Sequence, residues 1–520
     1  MAAIITDDFR RNQAKLLVND IKASSDAAYD SGNLTSTMQD RYRYNSVYGI
    51  GLGKTDAWPN DSAGRVEDNL DFSVTPPSGT QQEVEDVINN LFTVKEVSTA
   101  AANQLIAKNT WTSGRKYKVY DGADNDCFYV TGDVYPSYVT HAGNVYLCVS
   151  NSAQENATLD HQPSSNPPSH TSYAEVVNAS DGYVWAHIQA LPTAGDAEKF
   201  TTPQFAPILE ETDSGNISNS DSYQGGLFSH IGIIDGGTGY TSAATVTVTG
   251  VKEDGTNQTM SAYKFKPITS STGAIERIVM QESTAAASDT GSLTYWGAQL
   301  KGLKSVTVNI NRNEPQGNSR NATAFGLVAP ARGYSANAID FLPTWFVGCI
   351  ANFINTEGGD AYPLKFRQIS LLKNFSRNED SDGTTSTYDA LKYIEATTVT
   401  EGSLIPGDIL ESGNGARFYF NAVDTSVTPN RLYYHQNSNS EVNLLDPGTG
   451  ATNGEVTVAV STTATAGATV ITQADAVQDG EYAHRDANGE LNGEVVFHEN
   501  RVPFQRTSTQ TEEVKLIIQL

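Results

Sequence analysis

The chain has 520 residues, more than the roughly 100–200 of one domain, and only 18% of them are charged, below the usual value of about 25%. Its formal charge of −26 repels phosphates and anionic lipid heads, which makes nucleic acid and membrane surfaces poor partners, so neither nucleic-acid binding nor membrane insertion is expected. No run approaches the roughly 18 apolar residues of a membrane-spanning helix, and the cysteines Cys127, Cys148 and Cys349 form no CxxC pair, so no disulfide framework is expected.

The opening Met1-Ala-Ala-Ile-Ile-Thr-Asp-Asp has no basic stretch ahead of an apolar block, so it does not read as a secretion signal. Phe9, Leu16, Leu17 and Ile21 recur at helical spacing after Thr6-Asp7-Asp8, which supplies an N-cap. Residues 42–52 read as a strand that Trp58-Pro59-Asn60-Asp61 interrupts, and residues 80–92 as a second helix with Val84, Val87, Ile88 and Leu91 on one side. Strands follow at 117–120, 127–130, 144–149 and 182–188, with a polar, Pro-rich loop over 150–171. Residues 211–325 change character. A Ser/Asn/Gly linker over 214–226 leads into a strand–glycine turn–strand unit containing Gly237-Thr-Gly239-Tyr240, with looser echoes at 273–279 and 305–310. A second shift covers 376–481, with strand-like runs at 405–410, 416–420 and 455–460.

Few residue patterns point to chemistry. Gly49-Ile-Gly-Leu-Gly-Lys54-Thr55 is superficially a phosphate loop, but Tyr48 stands where the first glycine is needed. Pro59 also lies too close for a following helix, so a glycine-rich strand end is expected. The acidic groups Asp121, Asp124, Asp126, Asp133 and Glu379, Asp380, Asp382 lack the ligand spacing of a calcium loop and read as turns. There is no GxSxG elbow, no HExxH, and no histidine pair at i, i+4. A pair of carboxylates for glycoside hydrolysis is not singled out by any local pattern. These observations lead to the expectation of a protein without catalytic residues, metal or cofactor.

The C-terminal segment carries Gly493-Glu-Val-Val-Phe497, then Glu499-Asn500-Arg501-Val-Pro503, then Gln510-Thr511-Glu512-Glu513 running to Leu520. Upstream stand Phe366-Arg367-Gln368-Ile, Asp181-Gly182-Tyr183-Val-Trp185 with Leu191-Pro192, and near the start Phe9-Arg10 and the stretch from Tyr48 to Trp58. In this order the motifs resemble the baseplate wedge subunit encoded by gene eight of T-even-like contractile-tailed phages. They cover somewhat under half of the chain.

The resemblance implies a mainly β, multi-domain, β-sandwich-like scaffold with β-rich insertions and a few short helices. Its core would be discontinuous, comprising residues 1–210, 326–375 and 482–520 as one body or two subdomains, with insertions at 211–325 and 376–481. It implies a homodimer gripped by other wedge subunits, made in the host cytoplasm and carried in the virion, that takes part in baseplate rearrangement on tail contraction. No enzymatic activity comes with it. The terminal run Val514–Leu520 is expected to be buried in a sheet interior, paired with Gly493–Phe497, with Arg501 pinning the turn. The alternatives are a tail-fibre or receptor-binding adhesin whose insertions bind host glycans, and a carbohydrate-active enzyme.

Overall fold

The computed structural model describes residues 5–23, 47–54, 58–98, 102–122, 126–151, 163–173, 177–178, 181–282, 297–313, 319–353, 365–375, 387–396, 404, 408–412, 417–425, 428–435, 456–460, 469–471, 474–478, 491–505 and 511–520. The fold is mainly β, built of several sheets with few helices. Pairing is antiparallel almost throughout; one short pair, Lys116–Tyr117 with Val134–Tyr135, is parallel.

The chain divides into two compact units, one of residues 1–15, 103–347 and 519–520, the other of 16–102 and 348–518. The three segments of the expected wedge core are thus distributed over both units, while 211–325 falls wholly in the first and 376–481 wholly in the second.

In the first unit, a four-stranded sheet runs in the order Tyr138–His141, Asn144–Asn151, Tyr183–Ala190, Val177–Asn178. Its first hairpin is closed by two residues, Ala142 and Gly143, both at positive φ (46° and 76°). That is the mirror-image turn whose twist matches antiparallel strands. Thr245–Lys252 lies between Asn257–Thr259 and Leu303–Asn311, while Phe228–Asp235 pairs with Thr323–Val328 and Tyr263–Thr269 with Ile275–Glu282. Among the described residues, the apolar side chains of 211–325 share the core of the rest of this unit. Leu227, Phe228, Tyr240, Val248, Tyr263 and Leu303 belong to the same buried cluster as Ile106, Leu147, Val184 and Trp345.

Two expectations fail here. Residues 127–130 form a turn instead of a strand, although Cys127 and Phe128 are buried. The expected linker at 214–226 is largely a helix, Ser214–Gln224. Its propensity is poor and it has no apolar stripe, but Asp213 caps it by accepting from Gly215 N and Asn216 N. Two buried polar side chains then anchor it: Gln224 Nε2 donates to the His187 carbonyl at 3.2 Å and Ser220 Oγ to the Arg332 carbonyl at 2.7 Å.

In the second unit a five-stranded sheet has the order Thr387–Asp389, Leu91–Glu96, Tyr48–Gly53, Lys365–Lys373, Glu494–Gln505. Tyr48–Gly53 is central and buried along its whole length. Its glycines are needed for close approach: a Cβ on Gly49 would lie 2.6 Å from the Phe375 ring, and one on Gly51 2.6 Å from Leu91 Cδ2. The glycine-rich run is therefore strand, as expected. The helix Gln81–Asn89 begins at Thr80, whose hydroxyl accepts from Glu83 N, while Glu83 reaches back to Gly79 N. It ends sooner than expected, because Leu91 already opens a strand. A seven-stranded sheet takes the order Thr469–Ile471, Val456–Val460, Ile409–Ser412, Arg417–Asp424, Asn430–His435, Lys392–Ala396, Ala474–Gln478.

The long helix Asp7–Ala23 forms where expected but buries a different face. Ala14, Val18 and Ile21 are buried, whereas Phe9 and Leu16 are 54% and 61% exposed. The terminal hairpin is likewise corrected. Glu494–Gln505 pairs with Lys365–Lys373, and Glu512–Gln519 lies beside Phe346–Phe353 in another sheet. Among the described residues the last strand is an edge, not an interior strand. It buries only the alternate residues Val514, Leu516 and Ile518, as a strand with one wet face does.

Candidate functional site

Seven of the motif residues named from the sequence, Phe366, Arg367, Gln368, Glu499, Asn500, Arg501 and Pro503, meet at the Lys365–Lys373 and Glu494–Gln505 strands. Their register jumps from Phe366↔Phe504 to Gln368↔Asn500, so two steps on one strand face four on the other. Residues 501–503 bulge out of the ladder, and Pro503, which has no N–H to offer, sits in that bulge. Phe366 packs on Phe504 and on Phe92, with ring centroids 5.5 and 6.4 Å apart.

Arg367 faces the bulge region and is 6% exposed. Its backbone N donates to the Lys54 carbonyl at 3.0 Å. Its guanidinium carbon lies 3.8 Å from the centre of the Trp58 ring, a cation–π stack. Trp58 Nε1 donates to the Arg501 carbonyl at 2.7 Å, and Asn500 Nδ2 to the Thr75 carbonyl at 3.1 Å. Arg501 is held by its backbone; among the described residues its side chain reaches Glu499, at 3.2 Å, and both are largely exposed. Such a surface pair contributes little. Gln368 is fully buried, and among the described residues its side-chain amide has no partner.

The loop that carries Trp58 is itself organised by carboxylates that sequence reasoning missed. Asp61 accepts from Ala63 N, Arg65 N, Arg65 Nε and Ser73 N at 2.8–3.3 Å. These bonds, the Arg65 backbone first, hold its carboxyl at about 2, below the usual 3.8. Glu67 accepts from Trp58 N at 2.8 Å and pairs with Lys365 Nζ at 2.6 Å, tying the loop to the strand that bears Arg367. The available signal was the Asp61-Ser-Ala-Gly64 turn pattern.

The other motif residues lie elsewhere. Gly493 stands at φ 94°, where a Cβ would be 3.1 Å from Phe375 Cβ. Thr511 is exposed and Glu512 half-buried at the start of the last strand. Gly182, Tyr183 and Trp185 belong to the first unit. There Tyr183 stacks on Trp185 at 5.5 Å and 12°, and Trp185 meets Tyr117 edge-on. Tyr117 N donates to the Tyr183 hydroxyl at 2.9 Å. Asp181, next to Gly182 (φ 89°), accepts from Ser164 Oγ, Ser165 N, Asn166 N and Tyr183 N and so fixes the 164–166 loop. Of the acidic groups weighed as turns, Asp133 pairs with Lys116 at 2.6 Å. Asp124, Glu379, Asp380 and Asp382 lie outside the described residues. Among the described residues no three His, Cys, Asp or Glu side chains gather as a metal site.

Several of these contacts join segments far apart in sequence: Trp58 with Arg501, Arg367 with Trp58, Asn500 with Thr75 and Lys365 with Glu67. No known protein-family model matches the chain, and no curated protein matches it either.

Proposed function

We propose that this chain is a structural subunit of the baseplate wedge in a contractile-tailed phage, acting without catalysis, cofactor or metal. In this reading it sits in the virion as a homodimer held by other wedge subunits and reorganises with them when the tail contracts. The observation that carries the proposal is the clamp of Trp58, Arg367 and Arg501. Three of the short motifs behind the resemblance, far apart in the chain, meet through a stack and a hydrogen bond at the sheet edge. Scattered matches arising by chance would have no reason to meet. A scaffold that must keep its shape while neighbours pull on it does have a reason to lock a sheet edge to the loop that covers it.

The test is co-purification. The chain is expected in baseplates stripped of sheath and fibres, and the isolated chain is expected to weigh as a dimer. Its absence from purified baseplates would reject the proposal. The tail-fibre or receptor-binding adhesin is the second reading, favoured by the uncharged face described next; it calls for a trimer and for location in a fibre.

A further inference from the structure

The sheet of Thr245–Lys252 and Leu303–Asn311 has two unlike faces. Inward-pointing Val246, Val248, Val306, Val308 and Ile310 pack on the large apolar cluster. The opposite face follows from the two-residue period: Thr245 is across from Asn311, Thr247 from Asn309, Thr249 from Thr307 and Val251 from Ser305. None of these eight residues is charged, in a chain of net charge −26; Lys252 stands at the end of the pairing, opposite Leu303. Thr247, Thr307, Asn309 and Asn311 are exposed.

The face runs into a cleft of about 790 Å³ between residues 308–313 and residues 321–324, within the range of small-molecule sites. Leu303–Asn311 is the last strand of its sheet and Thr323–Val328 pairs only with Phe228–Asp235, so among the described residues both present an unpaired backbone edge. Carboxamides line the cleft: Asn309, Asn311, Asn313 and Asn321, joined by Thr323. Arg312 is the one charged lining residue. Its guanidinium is spent on structure, donating to the Thr238 and Arg320 carbonyls and to Asn321 Oδ1 while stacking on Tyr240 at 4.5 Å. Asn313 is spent too, donating to the Ala243 carbonyl and accepting from Thr245 Oγ1. Asn309 has no side-chain partner among the described residues, and Asn311 uses only its oxygen, toward Asn313 N.

We infer that this cleft and the Thr/Asn face beside it bind a neutral oligosaccharide. A carboxamide offers a donor and an acceptor together, which matches the paired donor and acceptor character of sugar hydroxyls. Three of the five N–H donors of Arg312 are already engaged by the Thr238 and Arg320 carbonyls and by Asn321, which leaves less for an acidic ligand, and the edges of Val308, Ile310 and Ala324 supply apolar surface for the C–H face of a sugar ring. The inference is independent of the wedge assignment.

The test uses the full chain on a printed array of neutral and sialylated glycans, followed by titration of the best neutral glycan. Neutral glycans are expected to be retained preferentially. N309A/N311A removes two neutral hydrogen-bonding groups and is expected to weaken binding about tenfold. N309D, nearly the same in shape, is expected to weaken it as well, and both variants should melt as the parent does. Retention of no neutral glycan by the folded chain, preference for sialylated glycans, or unchanged binding in the variants would each overturn the inference.

Discussion

The indole nitrogen of Trp58 and the carbonyl oxygen of Arg501, 443 positions apart in the chain, are joined by a 2.7 Å hydrogen bond. The same indole carries the Arg367 guanidinium on its face. Replacing Trp58 separates the two roles. W58F keeps an aromatic face and loses the donor, at a cost of about 1 kcal/mol; W58A loses the stack as well, for a total of about 2–3 kcal/mol. Urea unfolding midpoints measure both. Equal midpoints for parent and W58A would mean that the clamp holds nothing.

Asp61 sets an acid limb. Its folded pKa, about 2, is below the usual 3.8, so between those values the unfolded chain binds more protons than the folded one. The stability Asp61 contributes is fully present above about pH 4 and is lost as pH falls through about 2. D61N is expected to show a flatter fall in stability over that window than the parent, although it is less stable near neutrality. Parallel curves for the two proteins would contradict this.

His187 acts at higher pH. It is 3% exposed, beside Tyr146, Tyr173 and His170, with Nε2 3.0 Å from Asn144 Oδ1. Burial first, and then the neighbouring His170, lowers its pKa from 6.5 to about 4. The unfolded chain takes up this proton first, so stability is present above about pH 6.5 and falls toward pH 4, by at most about 1.4 kcal/mol per pH unit. H187Q is expected to remove that slope, measured by melting temperature against pH.

Gly51 tests the packing of the central strand. A Cβ there would lie 2.6 Å from Leu91 Cδ2 and 2.8 Å from Ser370 Oγ. G51A is expected to cost about 1–3 kcal/mol by overpacking, read as a lower urea midpoint. A neutral outcome would show that the neighbouring strands yield freely.

Gln224 tests whether polar anchors hold the Ser214–Gln224 helix. Its amide donates to the His187 carbonyl and its oxygen accepts from Ser335 Oγ at 3.0 Å. Q224A is expected to cost about 1–3 kcal/mol and to speed amide hydrogen exchange across the helix. Unchanged exchange there would argue that the helix stands without them.

The physical limits of sequence reasoning show in these same residues. Strand-like runs between turn residues made the β class legible, and the spacing of Val84, Val87, Ile88 and Leu91 made one helix legible, because both are local signals. The Ser214–Gln224 helix was hidden because long-range bonds from Ser220 and Gln224 hold it. The helix at Asp7–Ala23 was legible, but its buried face was not. Phe9 and Leu16 have the hydrophobicity of core residues, yet Ala14 and Val18 are the ones buried. The partner of Glu494–Gln505 was misread for a related reason. Its apolar pattern fits either neighbour, and the choice rests on the Phe366, Phe504 and Trp58 contacts. Motif residues were found, Asp181 among them, but the carboxylates that position the Trp58 loop, Asp61 and Glu67, stood out only through their bonds.

The proposed role itself is tested most directly by a cryo-electron microscopy map of the particle that carries this protein, at a resolution that traces side chains. The account predicts paired copies repeated around the tail hub, with the Trp58 indole seated against the bulge at Arg501 in each. Density placing the chain outside the baseplate would contradict it.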